Sequence, residues 1–76
     1  MEIKIYGPGC AKCVAVEKLV REAAAQKSPY ISVEKISDIR EMMKAGILLT
    51  PAVVIDGVLK SSGRVPRKEE VESWIR

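Results

Sequence analysis

Seventy-six residues, 47% of them hydrophobic and with a net charge of +3, make one domain over residues 1–76 and leave no room for a second core. The chain has no low-complexity tract, repeat or apolar run long enough to span a bilayer, so a soluble monomer is expected and a membrane protein or disordered tail is not. The basic excess is small; Lys60, Arg64, Arg67, Lys68 and Arg76 are interrupted by Glu69, Glu70 and Glu72, and with no Phe to stack bases, nucleic acid is not an expected partner.

Met1 to Tyr6 alternate polar and apolar residues with β-branched and aromatic side chains, which predicts a strand that Gly7-Pro8-Gly9 must end. The first residues enter this pattern directly, without a basic and then apolar leader, and a cytoplasmic protein is the expectation. From Ala11 the period changes. Val16, Leu19, Val20 and Ala23 recur at helical spacing, Glu17, Lys18, Arg21 and Glu22 form the opposite face, and Glu17 stands four residues before Arg21 for an ion pair.

Gln26 to Pro29 read as a loop and Ile31 to Ile36 as a second strand. Asp38 followed by Glu41 has the spacing of a capping box, Ile39, Met42 and Met43 mark one apolar face, and Gly46 stands where a left-handed residue would end the second helix. Leu48 to Pro51 lead into Ala52-Val53-Val54-Ile55, an apolar run suited to a strand covered on both faces. Asp56-Gly57 favours a type I′ turn, so Val58 to Lys60 should fold back as a hairpin partner. Ser61, Ser62 and Gly63 read as a polar loop reaching Pro66, after which Val71, Trp74 and Ile75 supply the stripe of a terminal helix.

The predicted order is therefore βαβαββα, an α/β domain with a four-stranded mixed sheet and three helices. The first two strands should be parallel through the helical crossover, with the hairpin on the other side of the first strand, giving the order 2-1-3-4.

The chemistry sits at Cys10 and Cys13, the only cysteines, in the segment GPGCAKC between the first strand and the first helix. Two cysteines three apart close too small a loop to staple a fold, which favours redox chemistry or metal binding. Cys10 falls where a helix begins, so unpaired backbone N–H groups and the positive end of the helix dipole can hold a thiolate, while Cys13 falls one turn further in, where the helix packs. Lys12 between them can add positive potential or simply be solvated. With no His, Ser/His/Asp and Cys/His catalysis are excluded, as is a zinc site of the usual composition.

On GCAKC at the first helix, Thr50-Pro51 before the third strand and the VVIDG hairpin, the chain resembles the minimal thioredoxin-like redox-active disulfide proteins of archaea and bacteria, over nearly its whole length. That resemblance implies a thiol-disulfide oxidoreductase that needs no cofactor. Cys10 would be the exposed nucleophile and Cys13 the buried resolving thiol, and Pro51 would face them, with a cis bond to Thr50 and both residues in contact with substrate. Disulfide-containing proteins are the implied substrates, and a thioredoxin-reductase-like flavoprotein or another dithiol donor the implied reductant.

Several residues depart from the larger thioredoxins. Those carry a buried acid six positions before the first cysteine; here Lys4 stands there, either snorkelling from the sheet or adding charge that helps to hold a thiolate. Ser61-Ser62-Gly63-Arg64 replaces the glutathione-holding segment of glutaredoxins, although Arg64 could still hold a carboxylate. The competing reading is a soft-metal module of the heavy-metal-associated type, holding copper(I) between the two thiolates. That family has the order βαββαβ, against the terminal helix predicted here.

Overall fold

The computed structural model describes residues 1–9, 11–27 and 30–75, so Cys10, Ser28 and Pro29 of the expected loop, and Arg76 lie outside the described residues. The elements follow one another as β1 (Glu2–Tyr6), α1 (Ala11–Lys27), β2 (Ser32–Ile36), α2 (Ile39–Lys44), β3 (Ala52–Ile55), β4 (Val58–Ser62) and α3 (Lys68–Trp74). The sheet order is β2-β1-β3-β4. Strands β1 and β2 are parallel, with Ile3 opposite Val33 and Ile5 opposite Lys35, as a strand, crossover helix and strand require. Strand β3 runs antiparallel to β1 and to β4. This is the predicted thioredoxin-like arrangement, and it differs from the βαββαβ order of the metal-binding alternative.

Strand alternation divides the core between the two faces of the sheet. Ile3 and Ile5 of β1 and Val53 and Ile55 of β3 meet Val16, Val20, Ala23 and Ala24 of α1, and Val71 and Ile75 close this layer from the C-terminal end. On the other face Tyr6 and Ala52 pack with Met42 and Ile47 under α2. The predicted pair forms along α1, Arg21 Nε donating to Glu17 Oε2 at 3.0 Å.

Helix α2 is held by a side-chain cap at its start and by backbone bonds at its end. Asp38 Oδ1 accepts from the Arg40 N–H at 2.8 Å, while Glu41, expected to complete the box, points to Lys44 with 3.7 Å between their charged groups. At the far end Gly46 takes φ +74°. The Ile47 N–H then reaches the Met42 carbonyl at 2.9 Å, and the Gly46 N–H that of Met43 at 3.1 Å, the paired bonds of a Schellman ending. The expected apolar face is narrower than its sequence suggested. Of Ile39, Met42 and Met43 only Met42 is buried, with Ile39 68% and Met43 75% exposed. A helix of six residues turns less than twice, so a single side chain points squarely at the sheet.

The β3–β4 turn has positive φ at both central residues, +48° at Asp56 and +83° at Gly57, as a type I′ hairpin requires. Asp56 also joins the turn to β1. Its Oδ1 accepts from the Glu2 N–H, and its own N–H donates to the Glu2 carbonyl, both at 2.8 Å. Strand β4 runs past the predicted Lys60 to Ser62, because a bulge lets Val54 face Leu59 while Val53 faces Ser61. The extra residue turns Ser61 inward, where its Oγ is buried without a hydrogen-bond partner among the described residues.

Behind β4, Arg64 closes a bidentate pair with Glu70 at the start of α3, at 2.9 Å and 2.8 Å. Glu70 Oε1 also accepts from the Arg67 N–H at 3.1 Å, fastening the first turn of the helix. The Arg64 guanidinium, and then the Arg67 N–H, hold the Glu70 carboxyl down from its ordinary 4.5 to about 2. A carboxyl lowered by folding stabilises the fold above its unfolded value and ceases to do so as pH falls through its folded value. A Glu70→Gln variant should therefore be less stable than the wild type to urea at neutral pH. That deficit should shrink from about pH 4.5 downward and vanish near pH 2; a deficit constant across this range would show that the carboxylate charge is not its source.

Candidate active site

The site forms where the end of β1, the start of α1 and the start of β3 converge. Gly7 follows β1, and its N–H donates to the Ile36 carbonyl of β2 at 3.0 Å, so the segment stays on the sheet before it turns. Cys13, in the first turn of α1, is fully buried. Its side chain lies on the bare face of Gly7. A Cβ at residue 7 would come within 3.0 Å of Cys13 Cβ and nearer still to Sγ, with Pro51 Cα at 4.0 Å. The thiol of Cys13 therefore occupies the space that any other residue at position 7 would fill.

The third wall is Pro51, which is also fully buried. The Thr50–Pro51 peptide is cis. The Pro51 carbonyl accepts from the Gly63 N–H at 2.9 Å, which ties the end of the hairpin to this wall. Proline has no N–H to leave unpaired at the strand's start, which suits it to this place. Thr50 is half-buried beside it, whereas Leu49 and Leu48 before it are 61% and 93% exposed. A Cβ at Gly63 would meet Leu49 at 3.2 Å, so Leu49 lies against the far side of the same loop.

The other expected site residues stand apart from this cluster. Lys12 is exposed on α1. Lys4 projects from the opposite face of the sheet to Ile3 and Ile5, into a groove of ≈ 270 Å³ lined by Tyr6, Ala45, Ile47, Val54 and Leu59. Its ammonium lies 3.4 Å from Glu2 Oε1. The hydrogen bond that the Lys4 ammonium donates to the Glu2 carboxylate raises the Lys4 pKa, which keeps the side chain charged and unsuited to accept a proton. Arg64, considered for a glutathione carboxylate, already has both arms on Glu70. Gly7 was legible only as a strand breaker, since nothing in its local sequence announces a thiol packed on it; the adjacent Leu48 and Leu49 fit no periodic face, a sign of exposed apolar residues.

Replacing Gly7 with Ala should displace the Cys13 side chain, since the new methyl has no other space. Overpacking of this kind costs about 1–3 kcal/mol. Urea unfolding of the Gly7→Ala variant should show a loss of that size, and Cys13 should become open to alkylation in the folded protein. Unchanged stability with Cys13 still protected would contradict this packing.

The sequence model of the thioredoxin domain matches residues 1–76. A thioredoxin of Methanothermobacter thermautotrophicus is 42% identical over 75 residues, covering 99% of this chain and 97% of the relative. A thioredoxin of Methanocaldococcus jannaschii is 28% identical over 74 residues, covering 97% of this chain and 85% of the relative. With the observed strand order, these matches make the chain a small thioredoxin-like protein, a member of the thioredoxin-domain family.

Proposed function

We propose that the protein is a thiol-disulfide oxidoreductase in which Cys10 attacks and Cys13 resolves. The Cys10 thiolate attacks one sulfur of a substrate protein's disulfide, forming a mixed disulfide and releasing the other sulfur as a thiolate. Cys13, deprotonated, then attacks the Cys10 sulfur and expels the second substrate sulfur. Two electrons have passed to the substrate, and a Cys10–Cys13 disulfide remains in the protein.

The observation that carries this reading is the burial of Cys13 between Gly7 and Pro51. A thiol enclosed by its own fold cannot reach a disulfide on another protein. It can reach a neighbour three residues back in the chain, and the intramolecular step has the advantage of high effective concentration. Thr50 and Pro51 would lie along the bound substrate segment, with Leu48 and Leu49 exposed beside them. The reductant in this reading is a thioredoxin-reductase-like flavoprotein or another dithiol donor, acting in a reducing cytoplasm. The engagement of Arg64 by Glu70 supports a dithiol donor over glutathione, since it occupies the guanidinium considered for a glutathione carboxylate.

A Cys13→Ser variant should accumulate mixed disulfides with oxidised protein substrates, and a Cys10→Ser variant should not. Equal trapping by both, seen on non-reducing gels, would remove the order of attack. For the donor, the oxidised protein should be reduced faster by a dithiol than by glutathione at matched driving force; saturable, faster reduction by glutathione would reverse that choice.

A further inference from the structure

Residues 63–67 join β4 to α3, and each end of this segment is held by a different part of the fold. At the first end the Gly63 N–H donates to the Pro51 carbonyl at 2.9 Å. Gly63 has φ +77°, and Leu49 fills the space that a side chain there would need, its Cβ and Cδ1 both 3.2 Å from the place of a Gly63 Cβ. At the other end one carboxylate holds two residues. Glu70 takes both arms of the Arg64 guanidinium, at 2.9 Å and 2.8 Å, and accepts from the Arg67 N–H at 3.1 Å. Pro66 between them is buried and its ring fixes φ, so few torsions of the segment are left free. A planar guanidinium engaged by both arms has one orientation, which makes the pair a spacer of defined length as well as a charge contact.

We propose that Glu70 and Arg64 are positioning residues for substrate, their pair holding Gly63 so that Pro51 and Leu49 stay where a substrate segment meets them. The proposal rests on the oxidoreductase reading above, in which Thr50 and Pro51 lie along that segment. Both residues act through Gly63 and not by contact with substrate. With the pair in place, the segment next to Pro51 is ordered before substrate arrives. Without it, binding must itself order residues 63–67, and that entropy is subtracted from the affinity. The thiol step is on the other side of Pro51, where Cys13 packs on Gly7. Loss of the pair therefore weakens binding of substrate and transition state alike, which raises KM and leaves kcat in place. The side chains of Arg64 and Glu70 are 52% and 35% exposed, so the effect is that of a solvated pair of good geometry, roughly two- to fivefold.

The test follows reduction of insulin disulfides with dithiothreitol as donor, together with amide hydrogen exchange of the folded chain. Glu70→Gln and Arg64→Met should each raise KM roughly two- to fivefold at unchanged kcat. The double variant should be no worse than Glu70→Gln alone, because the two side chains act as one unit. In all three the Gly63 amide should exchange faster relative to that of Ile5 in the central sheet. Ile75→Val, a core change that destabilises the same layer and leaves the pair intact, should move neither KM nor that ratio. An unchanged KM in both single variants, a loss confined to kcat, additive effects in the double variant, or an equal rise in Ile75→Val would overturn the proposal. Failure of the underlying reading looks different: the wild type would reduce insulin no faster than dithiothreitol alone, while Gly63 exchange still responded to Glu70→Gln.

Discussion

The contact between Gly7, Cys13 and Pro51 is the constraint on which the positions of the other elements depend. It brings the end of the first strand, the first turn of the first helix and the start of the third strand within the width of one side chain. Such contact admits no slack, because protein interiors are packed to crystal-like density and a void or overlap of one methyl group is felt. Once these segments meet, β1 can lie between β2 and β3, and α1 must cross the sheet from this corner. The hairpin follows, held at one end by the Asp56–Glu2 bonds and at the other by the Gly63–Pro51 bond.

The two faces of the sheet serve this corner differently. Helices α1 and α3 cover one face with the larger apolar cluster, and the short α2 covers only the part of the other nearest Tyr6 and Ala52. The rest of that second face holds the Lys4 and Glu2 side chains around an open groove. Acid chemistry assigned to position 4 in larger relatives therefore has no counterpart at this residue, since Lys4 is charged, paired and turned from the face on which Cys13 packs. On the α1 face, Lys35 arrives from β2 by way of the parallel register and pairs with Glu17 of α1 at 3.8 Å.

The elements were legible because each follows from neighbours in the chain. The change of period at Ala11, the Asp56-Gly57 turn and the apolar run 52–55 all act over a few residues, and the crossover rule converts them into a sheet order. What escaped depends on partners far along the chain. Ser61 and Ser62 read as loop because their polarity is that of a turn, whereas pairing with β3 through a bulge makes them strand. Ile39 and Met43 fit a helical face whose width is set by how much sheet lies beneath it. Gly7 carries no local sign of its role, because the thiol packed on it arrives from α1.

The bulge in β4 has a consequence for how molecules of this chain meet one another. Strand β4 is the outer border of the sheet, with Val58 and Leu59 more than half exposed. A straight apolar border of this kind is a template on which a second chain can lay its own strand. The bulge breaks the regular spacing of the outward-facing N–H and C=O groups halfway along, and the exposed Lys60 sets a positive charge at the break. An approaching copy would have to bring its own Lys60 to the same border, so the strand that completes the sheet also limits its growth.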